Sequence, residues 1–311
     1  MENREWPLVT LFTLVYNTGK FVTMALDSVL ANKYPNLQHI IIDDCSTDGE
    51  SVQTVQRWID EHKYPCTFIK HEQNQGICKS LNEILSLVKG KYMLGISDDL
   101  LTETRIADHV TAFEEGNSNV AIVYGDVALI DSAGKVFNSS LFKEIEKGFG
   151  YVPSGKIYYD LLRYNFIPAV GVTLRTKAVR DAGGFDENLF FEDWDMWLRL
   201  SKNHEFRAEP SLSAYYRRYS ISTWNAWNVK NYECGLLTLD KNVSDKTSRK
   251  LTAATYHEYA EYYYKLNGKN SFRFFLKALS LKWTFAGFIF MMGSFFGFSY
   301  QQIVKYKQKV F

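Results

Sequence analysis

Short apolar runs at residues 8–15, 37–42, 66–69, 92–96 and 120–124 constrain this chain more than any other feature. Between them lie stretches whose apolar residues recur at helical spacing. Phe21, Met24, Ala25 and Val29 do so after the first run, and Val52, Val55 and Ile59 after the second. Strand-length runs alternating with helices build a mostly parallel sheet with crossover helices on its faces, so the fold class is α/β. Further helices are expected near 77–88 and 104–115. Beyond Asp126 the rhythm loosens. A strand is expected at 170–174, a helix at 176–182 stopped by Gly183-Gly184, a helix at 192–200 and a strand at 212–219. From about Trp224 onward helical patterns take over, with the aromatic run Tyr256, Tyr259, Tyr262, Tyr263 and Tyr264.

Composition excludes several classes. With 46% hydrophobic and 23% charged residues among 311, the chain can bury a core and is not disordered. Its formal net charge of +1 gives no field for nucleic acid. Cys45, Cys66, Cys78 and Cys234 form no CxxC pair, and the six histidines show no HxH or HExxH spacing, so neither zinc nor a disulfide framework is expected. Scattered cysteines fit a reduced, cytoplasmic compartment, and the opening MENREWPLVT does not read as a signal peptide. There is no GxxxxGK[ST] loop, no GxGxxG after the first strand and no GxSxG elbow.

In an open α/β sheet, ligands bind beyond the carboxyl ends of the strands. Asp43-Asp44 follow the second run and Asp98-Asp99 the fourth, so parallel strands bring both pairs to one edge of the sheet. Adjacent carboxylates in a closed site raise each other's pKa unless a cation intervenes. Mg2+ or Mn2+, held by one or two carboxylates and completed by ligand phosphates, suits such a pair, so Ser97-Asp98-Asp99 predicts a diphosphate ligand. Each pair alone also fits loop solvation or helix capping.

These residues resemble the inverting family 2 glycosyltransferases of the GT-A fold, which use nucleotide-sugar donors. The resemblance runs from Pro7 to Ser222. It rests on Tyr16-Asn17, on Asp43-Asp44-Cys45-Ser46-Thr47-Asp48-Gly49, on Asn74-Gln75-Gly76 with Asn82, and on Gly90-Lys91-Tyr92 leading to Ser97-Asp98-Asp99. It continues through Gly183-Gly184-Phe185-Asp186-Glu187, the Glu192-Asp193-Trp194 helix and Tyr216-Arg217 with Ser222.

The resemblance implies that Asp44 accepts from the donor base, Asp98 meets the ribose, Asp99 ligates the Mn2+ or Mg2+ that bridges the diphosphate, and Asp193 is the general base. Glu192 is implied in orienting acceptor or base. Two positions depart from the family pattern. Leu81 stands where an Arg is common, which leaves Lys79 as a substitute phosphate contact, and Tyr219 replaces a His, which shifts the grip on the diphosphate to Arg217 and Arg218. The first-turn acids Glu192 and Asp193 equally suit a helix N-terminus, and the arginines a strand surface. On this reading residues 1–222 are the catalytic domain, with nucleotide-sugar binding in 1–126 and the acceptor part in 127–222. Residues 223–311 are a helical extension.

That extension carries its own signal. From Lys265 to Phe311 there are eight basic residues and no acid, so the rest of the chain is net −7. Between Lys282 and Lys305 lie 22 uncharged residues, long enough to cross a bilayer, but interrupted by Gly287, Gly293 and Gly297. A basic, aromatic segment lying in the plane of an anionic membrane fits better. The alternative is a helix pair packed on protein. Membrane attachment would place the enzyme on the inner face of the cell membrane, where a lipid-linked saccharide acceptor of a surface-polysaccharide pathway is reached. Two rival readings are a catalytically silent nucleotide-sugar scaffold and a sugar-phosphate nucleotidyltransferase.

Overall fold

The computed structural model describes residues 5–218, 229–266, 268 and 270–310. Tyr219, Ser222 and Trp224 therefore lie outside the described residues. The chain opens with β1 (Val9–Val15), α1 (Gly19–Leu30), β2 (Leu37–Asp43), α2 (Ser51–His62), β3 (Thr67–Lys70), α3 (Ile77–Leu87) and β4 (Tyr92–Ile96). These strands lie side by side as β3-β2-β1-β4, all parallel. Val9, Leu11 and Val15 of β1 and Ile40, Ile41 and Ile42 of β2 are fully buried, as strands covered on both faces must be. The amphipathic α1 contributes Val22, Ala25, Leu26 and Val29 to that cover.

Next come β5 (Leu100–Leu101), α4 (Arg105–Glu115), β6 (Val120–Ile130), β7 (Val136–Asn138), α5 (Leu141–Phe149) and α6 (Tyr158–Leu161). They are followed by β8 (Val172–Arg175), α7 (Thr176–Asp181), α8 (Asp193–Ser201) and β9 (Glu205–Arg217). The sheet continues from β4 as β8-β6-β9-β5, with β7 alongside β6. Here it becomes mixed, because β8 runs antiparallel to β4 and β6 while β6 and β9 are parallel.

β6 runs on past its expected end at 124, and β9 begins seven residues before its expected start at 212. The register of β6 on β9 slips at Gly125, Asp126 and Val127, and opposite this slip Glu209 is followed in the pairing by Leu212. Pro210 therefore sits in a bulge, where its missing N–H costs the ladder nothing. Asp126 turns its carboxylate to the main-chain N–H groups of Val127 and Phe142. A polar residue inside β6 thus broke the apolar pattern without ending the strand.

The described residues form two compact units. One comprises Met1–Ile157, Phe166–Glu187 and Arg199–Tyr219; the other comprises Tyr158–Asn165, Asn188–Leu198 and Ser220–Phe311. This division differs from a cut at 222, since two short segments upstream of it, including Glu192 and Asp193, group with the C-terminal helices.

The second unit contains α9 (Val229–Asn242), α10 (Lys246–Lys265), α11 (Ser271–Leu281), α12 (Phe285–Phe295) and α13 (Tyr300–Val310). A reciprocal cap between Asp245 and Ser248 starts α10. Tyr256, Ala260, Tyr263, Phe275, Ala278 and Phe290 form its interior. Phe290 stacks on Phe275 at 5.8 Å and on Tyr300 at 5.5 Å, and a Cβ on Gly293 would stand 2.4 Å from Ile303. The uncharged stretch 283–304 is thereby folded into turns around an 11-residue α12. Such a helix is about 16 Å long, half a hydrocarbon core. Among the described residues no helix is long and apolar enough to cross a membrane.

Candidate functional site

The carboxyl ends of β2 and β4 flank β1, where Val15 pairs with Asp43 and Thr13 with Ile96. Parallel pairing therefore delivers both acidic turns to one edge of the sheet, as the spacing of the runs implied. The two turns are built differently.

After β2, Asp43 folds its own loop: its carboxylate accepts from Ser46 N at 2.9 Å and Ser46 Oγ at 2.5 Å. Asn17, held at φ 56°, accepts from the N–H groups of Thr47 and Asp48 through Oδ1. Asp48 accepts from Glu50 N and Ser51 N just ahead of and at the start of α2, and also takes the Gly19 N–H. Burial pushes its carboxyl upward, but bonds from Ser51, Glu50 and Gly19 outweigh this and hold it below the usual range. Asp44 faces the other way. Its Oδ1 accepts from Gln75 N at 2.7 Å and His71 Nδ1 at 2.8 Å, and its Oδ2 from Gly76 N at 2.9 Å. Asn74 donates to the Asp44 carbonyl, and Gly76 turns at φ 82°. The Asn74-Gln75-Gly76 signal is the loop that Asp44 stitches to the end of β2.

After β4, Ser97-Asp98-Asp99 occupy the turn before β5. Asp98 is half-buried and Asp99 is 7% exposed. Asp99 Oδ1 accepts from Arg217 N at 2.8 Å. Burial first and the Asp98 charge second push the Asp99 carboxyl well above the carboxylate range, against the Arg217 N–H and the charges of Arg217 and Arg105.

The expected role of Arg217 as a donor contact needs correction. Arg217 is 1% exposed, and its guanidinium donates to the carbonyls of Asp98, Asp131 and Ser132 while lying 4.7 Å from the Phe21 ring centroid. Its hydrogen-bonding capacity is turned inward, so it fixes the Asp98-Asp99 turn rather than reaching a phosphate. Lys79, by contrast, is exposed in the first turn of α3.

This turn suits a hard divalent cation. Asp99 offers a buried oxygen ligand beside a second carboxylate, and burial together with the Asp98 charge makes its ionised form costly, a cost that a bound cation would offset. Among the described residues no group of three or more His, Cys, Asp or Glu could enclose a metal. An ion held by one carboxylate and completed by ligand phosphates fits; an all-protein cage does not.

In the second unit, Asp193 is the first residue of α8, with Oδ2 accepting from Asn165 Nδ2 at 2.8 Å and Oδ1 from Trp194 N at 2.6 Å. Burial raises its pKa, with those two bonds opposing. Burial first and the Asp193 charge second push Glu192 up to about 8. Trp194 anchors the helix by donating from Nε1 to the Leu161 carbonyl. Asp195, to which the sequence assigned no role, is buried and pairs with Lys241 at 2.9 Å and Asn242 at 3.1 Å, so it is a support of the helix.

Three residues escaped the sequence reading. His71 and Arg105 follow β3 and β5 at the acidic edge, and strand-end position was the available signal. Asn165 lies in an irregular stretch that gives none.

Residues 10–161 match the model of Glycosyl transferase family 2. The chain carries a family 2 glycosyl transferase domain. An uncharacterized glycosyltransferase of Rickettsia bellii is 25% identical over 242 residues, which is 75% of this chain and 33% of the relative. The putative colanic acid biosynthesis glycosyl transferase WcaA of Escherichia coli is 33% identical over 93 residues, 30% of this chain and 33% of that protein. The chain thus spans about a third of the length of each. Among solved structures, S. aureus TarS in complex with UDP-GlcNAc superposes with a TM-score of 0.59 at 18% identity, over 93% of this chain and 80% of that one. The mannosyltransferase PcManGT of Pyrobaculum calidifontis in complex with GDP-Man and Mn2+ gives 0.60 at 15%, with the same coverage of 93% and 80%. The family 2 domain therefore has the GT-A fold.

Proposed function

We propose that this chain is a metal-dependent inverting glycosyltransferase that moves a sugar from a nucleotide-sugar donor, UDP-linked, to a saccharide acceptor. The observation that carries the reading is the pair of carboxylate turns at the ends of β2 and β4, one tied to the 74–76 loop through Asp44 and the other stapled by Arg217. Asp44 accepts from the base, Asp98 from the ribose, and Lys79 donates to the diphosphate. Asp99 holds Mn2+ or Mg2+, which when bound stabilises the charge on the departing diphosphate. The donors named for TarS and PcManGT support this class of ligand.

Asp193 supplies the base. Its carboxylate takes the proton of the acceptor hydroxyl while that oxygen bonds to the anomeric carbon, and the bond to the diphosphate oxygen breaks on the opposite face. The Asn165 N–H keeps one carboxylate oxygen in place, and Glu192 orients base or acceptor. The product is a glycoside of inverted configuration plus nucleoside diphosphate.

We further propose a lipid-linked acceptor in a surface-polysaccharide pathway and a peripheral position on the inner face of the cell membrane. The name of WcaA supports the pathway class. The second unit supports the position: Trp283, Phe285, Phe295, Phe296 and Phe298 are each more than half exposed in a segment without acids.

Incubation with a panel of nucleotide sugars and Mn2+, reading nucleoside diphosphate release, tests the activity. Release from one donor that stops on chelation is expected. Silence with every donor would leave a binding scaffold, and pyrophosphate release from a nucleoside triphosphate would indicate a nucleotidyltransferase.

A further inference from the structure

His71 stands between two carboxylates. Its Nδ1 is 2.8 Å from Asp44 Oδ1 and its Nε2 is 2.9 Å from Glu83 Oε2. A neutral imidazole has one N–H, so it can donate to only one of them, and its other nitrogen would place a lone pair against carboxylate oxygen. Both contacts are favourable together only when the ring carries two protons. The His71 side chain is 8% exposed and that of Asp44 9%, so the bond between them is shielded from water, whereas Glu83 is 41% exposed. Lys70, whose ammonium donates to Gln56, and Glu72 flank His71 in the chain; with Asp44 at the end of β2 and Glu83 on α3 they are the charged groups around it.

The position of this bridge gives it a consequence. Asp44 Oδ1 is shared between His71 Nδ1 and Gln75 N, and Oδ2 takes Gly76 N, so the carboxylate is fixed by donors on the loop it organises. We propose that His71, as an imidazolium, is a positioning residue for Asp44: it holds the carboxylate in the orientation that receives the donor base, so nucleotide affinity falls when the bridge loses its proton. The inference rests on the donor-site reading above, in which Asp44 meets the base.

The protonation sign follows from the surroundings. Burial lowers the His71 pKa, but the bonds and charges of Asp44 and Glu83 outweigh it and raise it from the ordinary histidine value. The bridge therefore persists to a higher pH than an unpartnered histidine would allow and is lost as pH rises through the raised value. Glu83 contributes through charge and through accepting Nε2–H. A glutamine there keeps an acceptor oxygen but removes the charge, so the bridge should open at lower pH.

Calorimetric binding of UDP to the full chain in the presence of Mn2+, at intervals from pH 6 to 9, is the test. For the unaltered protein, affinity should fall about tenfold across the upper part of that range. His71→Gln should weaken binding severalfold at pH 6.5 and flatten the profile, with KM for the donor rising more than kcat falls. Glu83→Gln should retain binding at pH 6.5 and move the midpoint of the decline downward, which also keeps the test open if His71→Gln fails to fold. An unaltered pH profile in His71→Gln, or an unmoved midpoint in Glu83→Gln, overturns the inference. Asp44→Asn separates the two levels. If it leaves UDP affinity unchanged, the donor-site reading itself is wrong; if it weakens binding while His71→Gln does not, only the role of His71 falls.

Discussion

The main-chain N–H of Arg217 donates to Asp99 Oδ1 at 2.8 Å, joining residues 118 apart in the sequence. The same arginine returns its side chain to the Asp98 carbonyl at 2.9 Å. The end of β9 thus clamps the acidic turn after β4 from main chain and side chain together, and turns the guanidinium of Arg217 inward.

Removing that clamp should cost stability before anything else. Arg217→Ala leaves the carbonyls of Asp98, Asp131 and Ser132 without their buried donor, and each orphaned group costs about 1–3 kcal/mol. We expect a loss of about 3 kcal/mol or more in chemical denaturation. Arg217→Lys should recover only part of it, because an ammonium cannot span the fork. A phosphate-contacting surface arginine would instead leave the denaturation midpoint unmoved.

The sheet edge was legible because it depends on local pattern: apolar runs, helical spacing and the Asp pairs that follow them. The inward turn of Arg217 was not, since alternation along β9 cannot tell a phosphate-facing side chain from one folded against Phe21. His71 shows the same limit, as its meaning comes from Glu83, twelve residues on and one helix away. Asp126 and Pro210 hid the true lengths of β6 and β9, because bulges absorb residues that a strict period-two reading rejects. Asp195 was unreadable until its partners Lys241 and Asn242 were in place.

Asp99 should be the metal's point of attachment. Mn2+ together with UDP is expected to raise the thermal midpoint of the unaltered chain by several degrees, since a ligand bound only to the folded state stabilises it by mass action. Asp99→Ala should abolish both this metal-dependent increment and turnover. Differential scanning fluorimetry with and without chelator reads the first independently of the second. An increment that survives in Asp99→Ala would remove the residue from the metal site.

Asp193→Asn should abolish transfer while leaving UDP affinity within about twofold, and turnover retained within a few-fold would show that another group takes the proton. The pH profile carries a finer expectation. A base must be deprotonated, and burial raises both members of the Glu192 and Asp193 pair, so kcat/KM should climb with pH through the raised range rather than plateau by pH 5. Asn165 donates to the ionised form of Asp193, so Asn165→Ala should push that rising limb to still higher pH. A limb that stays put or moves down would mean Asn165 does not act on the base.

The exposed aromatics of the second unit should hold the chain on anionic lipid. Trp283 is 65% exposed, Phe295 62% and Phe296 63%, at the two ends of an α12 whose Gly287, Phe290 and Gly293 face inward. Arg273 and Lys282 are exposed in the preceding helix and its end, and each basic residue near an anionic surface contributes about 1 kcal/mol. An 11-residue helix cannot span a bilayer, so the attachment must be interfacial: rings at headgroup depth and lysines against phosphate. Co-sedimentation with vesicles containing phosphatidylglycerol should therefore exceed that with phosphatidylcholine alone. It should weaken as salt screens the lysines, and drop severalfold in a Trp283→Ser, Phe295→Ser, Phe296→Ser variant. Equal recovery with both lipids, or binding that ignores the three substitutions, would assign the patch to protein contact, and the oligomeric state of the same variant would then change in its place.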